Sequence, residues 1–481
     1  MARPTDMRRP RPRVTLRTKA VRVLLGLLGL ALVHAAAAGR SQAPGDSYQA
    51  LVDRIREAGL ADEKGFDLLK KIASVGPRLT GSPGAAAAVD LSLRLMKELG
   101  FAGVHAEPVE VGHWVRGDIA EAVIPAGRDR GRVDLSVCAL GGSVGTPEGG
   151  IAAPVVEVRS LDELTDPGRT FEGMIVFFNR PMDRRLADPF AAYGGAADQR
   201  VGGASAAARR GAAAVLVRSL TFRKDRNPHT GVMHYDAGVP RIPAAAIGTA
   251  DADELSGLIK KENVLSVLLR MNCRDMGRAM SSNAVGEITG TEFPHEVILL
   301  GGHLDSWDLS PGAHDDAAGC AAALEALRLI NALGLRPRRT IRVVLFMDEE
   351  FGGTGGRAYV RAPQRKGERH LLAAESDRGG FMPVGLAVGG RDGRARDKLA
   401  SRQSLFKPLG VSSIVPGGGG VDIAPLVEQG TVPASVILDS QAYFDVHHSA
   451  LDVISSVHPR ELEFQAVILA ALAYILAQEG I

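Results

Sequence analysis

Val297-Ile298-Leu299-Leu300-Gly301-Gly302-His303-Leu304-Asp305-Ser306-Trp307-Asp308 is a short apolar run that empties into a polar loop. Four large aliphatic residues in succession, with no alternation, predict a strand buried on both faces, the habit of a parallel sheet. The pattern returns at Ile341-Arg342-Val343-Val344-Leu345-Phe346-Met347, followed by Asp348-Glu349-Glu350-Phe351-Gly352. Between the two, Gly312-Ala313-His314-Asp315-Asp316 leads into an apolar-rich helix predicted over 317–333, and a closing amphipathic helix is predicted over 463–477. Strands alternating with helices argue for an α/β fold with a mostly parallel central sheet flanked by helices. Sites in such sheets lie beyond the carboxyl ends of the strands, where this chain places its histidine and acids.

Upstream, helices predicted over 63–73 and 84–99 flank the breaker cluster Gly76-Pro77-Arg78-Leu79-Thr80-Gly81-Ser82-Pro83-Gly84, with Gly100 as the stop of the second. A strand over 104–111 follows. From about Asp118 the texture changes to short β-rich runs at 151–158, 174–178 and 213–217, with one or two helices, the clearest over 204–210. Near Met280 it changes back. The predicted organisation is a main domain in two parts, 44–117 and 280–481, with a β-rich insertion over 118–279.

The 481 residues, 45% hydrophobic and 23% charged, fit a soluble globular protein of two domains. A basic start, an apolar run from Val23 to Val33 and the small residues Ala35 to Ala38 predict a signal peptide over 1–38. The expected location is therefore secreted or periplasmic. A permanent anchor is the alternative, but the run is short of the roughly 20 residues that span a bilayer, and no later segment is expected to span. Eight basic residues between Arg3 and Arg22 stand against Asp6 alone, so removing the leader turns the net charge of +2 negative. That body has no electrostatic case for binding nucleic acid. Cys138, Cys273 and Cys320 are too few for a disulfide scaffold and could form one pair at most. A homodimer is left open.

The residues that carry chemistry gather around the strand exits. Asp315 and Asp316 could cap the following helix, a common use of aspartate. Capping by Asp316 leaves Asp315 free to bridge two cations. Asp348, Glu349 and Glu350 would repel one another unless a cation or solvent screened them. Glu375-Ser376-Asp377 and His447-His448-Ser449-Ala450-Leu451-Asp452 complete the set.

These segments resemble the M28 family of dizinc peptidases, and within it a carboxypeptidase branch with bacterial relatives. The resemblance covers nearly all of the chain after the leader. It includes Gly76 to Ser82 and a middle module similar to a protease-associated domain, at Tyr193-Gly194, Arg200, Gly211-Ala212, Arg218-Ser219 and Ile242-Pro243-Ala244-Ala245. It implies two zinc ions (Zn2+) per chain, one held by His303 and Asp377, the other by Glu350 and His448, with Asp315 between them. Glu349 would be the general base. Asp305 and Asp452 would orient the rings of His303 and His448, and the Asp315–Asp316 bond would be cis. Two points stay open. His447 competes with His448 as ligand and otherwise faces the substrate, and an Asp348/Glu349 register competes with Glu349/Glu350.

The implied function is a secreted exopeptidase that hydrolyses short peptides, dipeptides foremost, through a hydroxide shared by two zinc ions. An aminopeptidase of the same family is the alternative, and a non-catalytic receptor or binding scaffold lies further off. A glutaminyl cyclase is weaker still, since those relatives lack the insertion. Gly417 to Gly420 with Asp422 reads either as a wall near the substrate or as a plain surface loop.

Overall fold

The structure, a computed structural model, describes residues 44–127, 130–262 and 264–481. The signal peptide expected over 1–38 lies outside the described residues. The chain enters a first sheet with β1 (Ala102–Val115) and leaves it for eight strands of a second. These are β2 (Ala120–Ile124), β3 (Val133–Leu135), β4 (Val137–Ala139), β5 (Ile151–Val158), β6 (Ile175–Phe178), β7 (Ala214–Arg218), β8 (Ala244–Ile247) and β9 (Ser266–Met271). It then returns with β10 (Arg274–Ile288), β11 (Phe293–His303), β12 (Arg339–Phe346), β13 (Arg369–Glu375), β14 (Pro383–Val388), β15 (Ser413–Val415) and β16 (Val432–Leu438).

The first sheet has the order β1-β10-β12-β11-β13-β16-β14-β15. Its centre is parallel, from β12 through β11 and β13 to β16, with Ile298 opposite Ile341 and Gly301 opposite Glu375. The flanks turn antiparallel where β10 meets β12 and β14 meets β16, β15 lies parallel to β14 at the far edge, and the two predicted apolar runs are the adjacent central strands β11 and β12. Alternate residues of these strands point to opposite faces. Ile298, Leu300, Ile341 and Val343 pack under the helices Lys64–Ala73, Pro83–Glu98, Ala318–Ala332 and Pro459–Glu479. Leu299, Val344 and Phe346 pack with Tyr359 and Leu426 of the helices Thr354–Arg361 and Ala424–Glu428. Ser82 caps Pro83–Glu98 by accepting the Ala85 N–H at 3.1 Å, and Gly100 follows that helix at φ +75°.

Helix Pro459–Glu479 has the length and apolarity of a membrane span, where none is expected after the leader. It is apolar all round because most of it is buried, packed against Ala318–Ala332.

The second sheet has the order β3-β2-β9-β5-β6-β7-β8-β4, with β5 to β8 parallel. It carries four helices, Pro189–Gly194, Asp198–Val201, Gly203–Ala208 and Thr249–Ile259, rather than one or two. Three of them are six residues or shorter. Segments that short complete barely a turn or two and leave little periodic signal in the sequence.

Trp307, from the loop after β11, joins the core of the second sheet together with Trp114. A Cβ on Gly141 would lie 1.9 Å from the Trp307 ring, so the seam between the two sheets requires glycine there. Residues Tyr48–Ile481 form one unit. The cysteines Cys138, Cys273 and Cys320 are buried and unpaired.

Candidate metal centre

Three neighbouring parallel strands deliver the site. β11 ends at His303, β12 is followed by Asp348-Glu349-Glu350, and β13 ends two residues before Asp377. Asp315 enters from the turn Ala313–Ala317, where the Asp315–Asp316 bond is cis, and His447 and His448 follow the turn Tyr443–Asp445.

The two oxygens of Asp315 face different partners. Oδ1 lies 3.2 Å from His303 Nε2, which is 3.5 Å from Asp377 Oδ1. Oδ2 lies 3.3 Å from His448 Nε2, which is 3.2 Å from Glu350 Oε2. His447 Nε2 is 3.6 Å from the same Oδ2, and the two imidazoles stack at 3.5 Å between centroids. His448 reaches two carboxylates, whereas the ring of His447 is wedged among Tyr193, Tyr443 and Phe444. Asp348 and His448 hold φ of +74° and +60°, backbone that side chains seldom adopt and that a built site can hold.

Burial makes every one of these charges costly, and the pairings decide the outcome. Burial opposes charge on His303, but its hydrogen bonds to Asp315 and Asp377 raise its pKa well above the usual value. His448 is raised in the same way by Glu350 and Asp315 against its burial. Asp315 is buried too, yet His303 and His448 hold its carboxyl well below the usual range. Burial and the neighbouring Asp315 push Glu350 up to about 7. Glu349 is raised well above the usual value by burial, with Asp377 and Glu350 adding to the effect.

Asp315 Oδ2, despite the nearby His448 ring, and Glu350 Oε1 are buried and accept no well-aligned hydrogen bond among the described residues. Each half of the site offers imidazole nitrogen, a carboxylate and one oxygen of the shared carboxylate. Three such ligands with an open position suit a catalytic zinc ion, and the orphaned oxygens are what a cation would satisfy.

Two acids differ from what the resemblance implies, Asp452 in its partner and Asp305 in the atom by which it reaches His303. Asp452 does not touch the ring of His448. Its carboxylate accepts the backbone N–H groups of His314, at 2.7 Å, and Asp315, at 3.0 Å. The ring of His448 instead faces the Thr230 carbonyl, 3.3 Å from Nδ1. Asp305 meets His303 through its backbone carbonyl, 3.0 Å from Nδ1, while its carboxylate stands 3.9 Å off. That carboxylate accepts the N–H groups of Asp348, Glu349 and Glu350 at 2.8 to 3.3 Å. Both acids therefore satisfy loop backbone, which cannot stay unpaired when buried. Asp316 caps the next helix, accepting from Gly319 N–H at 3.0 Å.

Residues 283–473 match Peptidase family M28. The chain is 37% identical to carboxypeptidase Q of Bos taurus, over 87% of this chain and 86% of that one. It is 35% identical to carboxypeptidase Q of Homo sapiens, over 90% and 89%. The chain belongs to peptidase family M28. The crystal structure of a peptidase M28 precursor from Shewanella amazonensis SB2B superposes with a TM-score of 0.86 at 34% identity, covering 91% of this chain and 98% of that one. A zinc aminopeptidase from Bacillus subtilis shares the fold, with a TM-score of 0.63 at 20% identity over 87% and 95%.

In this M28 metallopeptidase the carboxylates open onto a cleft of about 360 Å³. Glu349, Asp377, Val421 and His447 line it from one side, and Phe190, Tyr193, Arg200 and Val232, all between β6 and β8, line it from the other. Gly417 to Gly420 is neither of the two things expected of it in full. Val421 lines the cleft, but Asp422 is buried, and its N–H donates to Glu375 Oε2 at 3.1 Å.

Arg78 went unassigned from the sequence. Fully buried, its guanidinium donates to the carbonyls of Leu304, Pro311 and Gly312, pinning the loop between His303 and Asp315. Its place in the breaker cluster before Pro83, and in the resemblance at Gly76 to Ser82, says nothing about a distant loop.

Proposed function

We propose that the chain is an exported zinc exopeptidase that hydrolyses short peptides, dipeptides foremost. The observation that carries this reading is the division of the Asp315 oxygens between two imidazole–carboxylate groups. His303 and Asp377 would hold one ion, His448 and Glu350 the other, and Asp315 one oxygen of each. His448 is preferred to His447 because it reaches both Asp315 and Glu350. Bound zinc would supply a Lewis acid for the scissile carbonyl and lower the pKa of a water.

Glu349 lines the cleft and would take the proton of the attacking water, then return it to the departing amine nitrogen. Its raised pKa comes from burial beside other acids, and resident cations would bring it back toward the ionised form a base needs. His447 would contact the substrate. Residues 118–279 would act as a protease-associated-like insertion that walls the cleft and restricts it to short chains, between catalytic parts 44–117 and 280–481.

Dipeptides with free, amino-blocked and carboxyl-blocked ends, offered to the protein with and without a chelator, test this reading. Hydrolysis of free dipeptides that stops on chelation and returns with zinc is the expected result. The blocked ends assign polarity, since loss on carboxyl blocking marks a carboxypeptidase and loss on amino blocking an aminopeptidase. Hydrolysis indifferent to chelation would sink the proposal.

A further inference from the structure

The segment His447-His448, whose His447 N–H donates to the Tyr443 carbonyl at 2.9 Å, is also held from the loop between β7 and β8 of the second sheet. Thr230 donates its N–H to the His448 carbonyl at 2.9 Å, and the Thr230 carbonyl lies 3.3 Å from His448 Nδ1. Beside it, His229 Nδ1 lies 2.7 Å from the His447 carbonyl. These contacts bracket His448, whose φ of +60° it would not keep unaided.

Thr230 is itself fixed. Its hydroxyl donates to the Ala139 carbonyl at 3.0 Å and accepts from both terminal nitrogens of Arg116 at 3.3 Å. Arg116 stands just after β1, is buried, and also donates to the Ala139 carbonyl. The other edge of its guanidinium forks onto Asp308, with Nε at 2.9 and 3.0 Å from the two oxygens and one terminal nitrogen at 2.5 Å. Asp308 belongs to the loop between His303 and Asp315 that Arg78 pins. Neither Arg116 nor Asp308 faces the substrate cleft, for both line a separate hollow on the other side of this junction.

We propose that Arg116 is a positioning residue for the metal centre. Through Thr230 it locks the imidazole of His448 to the loop that carries His303 and Asp315. The inserted sheet is then part of the scaffold of the second metal position and not only a wall over the cleft. The inference rests on the two-zinc reading above. A planar fork onto a carboxylate gives the rigidity such a lock needs, which a lysine cannot supply. Partners of a ligating imidazole typically alter metal affinity 10- to 100-fold when removed.

The test titrates zinc against a competing chelator in the full chain, for wild type, Arg116→Gln, Arg116→Lys and Thr230→Val. Wild type is expected to hold two ions. Arg116→Gln should keep one affinity and weaken the other by about tenfold or more, with kcat falling further than KM rises. Arg116→Lys and Thr230→Val should fall between, and thermal unfolding of the zinc-free proteins separates this from a general loss of stability. If Arg116→Gln does not fold, Thr230→Val alone decides. Equal weakening of both ions, or of neither, would overturn the lock while leaving the two-zinc reading intact. Fewer than two ions in wild type would overturn both.

Discussion

Asp315 is the residue on which both halves of the centre depend, because each of its oxygens serves a different imidazole. Asp315→Ala should therefore release both zinc ions, whereas Glu350→Ala or Asp377→Ala should each release one, as read by metal analysis after dialysis. Glu349 touches neither ion in the proposed arrangement. Glu349→Gln should keep both ions while kcat drops about 10²- to 10⁴-fold, the usual worth of a general base. Normal turnover in that variant would move the base elsewhere. The residues at strand exits were legible because a buried apolar run ending in a histidine or an acid is visible in one dimension. The partners of Asp305, Asp452 and Arg78 were not, because what these side chains bind is the backbone of loops far away in sequence, and backbone carries no letter of its own.

At the scale of elements, the helix Ala318–Ala332 sits close enough to the sheet for Asp316 to cap it and bond His303 N–H at the same time. Gly302 and Gly319 make that approach feasible. A Cβ on Gly319 would lie 1.8 Å from the Ser376 carbonyl oxygen, which is backbone and cannot swing aside. Gly319→Ala should lower stability by about 1–3 kcal/mol, as overpacking does, and loosen zinc binding as well, measured by denaturant midpoint and metal titration. The core strands β11 and β12 and the long helices packed on them were legible from apolar run length, since long buried segments carry the strongest pattern, whereas β13 and β16 were not. On the antiparallel flanks β1 was legible as the strand over 104–111, but β10 was not, because it is exposed along its first half and carries no apolar run there. Nor were the short helices of the second sheet.

Over the whole molecule, acidity is also buried away from the metal centre. Glu463 accepts the Gly65 N–H beside Glu325, which pairs with Arg328, and burial with the charge of Glu325 pushes Glu463 up to about 8 from 4.5. Because the folded pKa is the higher one, its contribution to stability is complete below about pH 4.5 and is lost as pH rises toward 8. Glu463→Gln keeps the bond to Gly65 and removes the charge. Its melting temperature should exceed that of wild type, by a margin that grows between pH 5 and pH 8. A margin independent of pH would show that Glu463 is not the titrating group.

The second sheet leaves and rejoins the first through adjacent antiparallel strands, with Val115 opposite Arg274 and Trp114 opposite Asp275. In topology the whole insertion is a hairpin loop, grown between two strands that would pair without it. A loop whose ends already touch adds closure entropy only as the logarithm of its length, so size at this point is cheap. The rim of the cleft can thus be rebuilt or exchanged without redrawing the sheet beneath. An exchanged rim would still have to present a carbonyl to His448, and that single demand would limit which replacements remain peptidases.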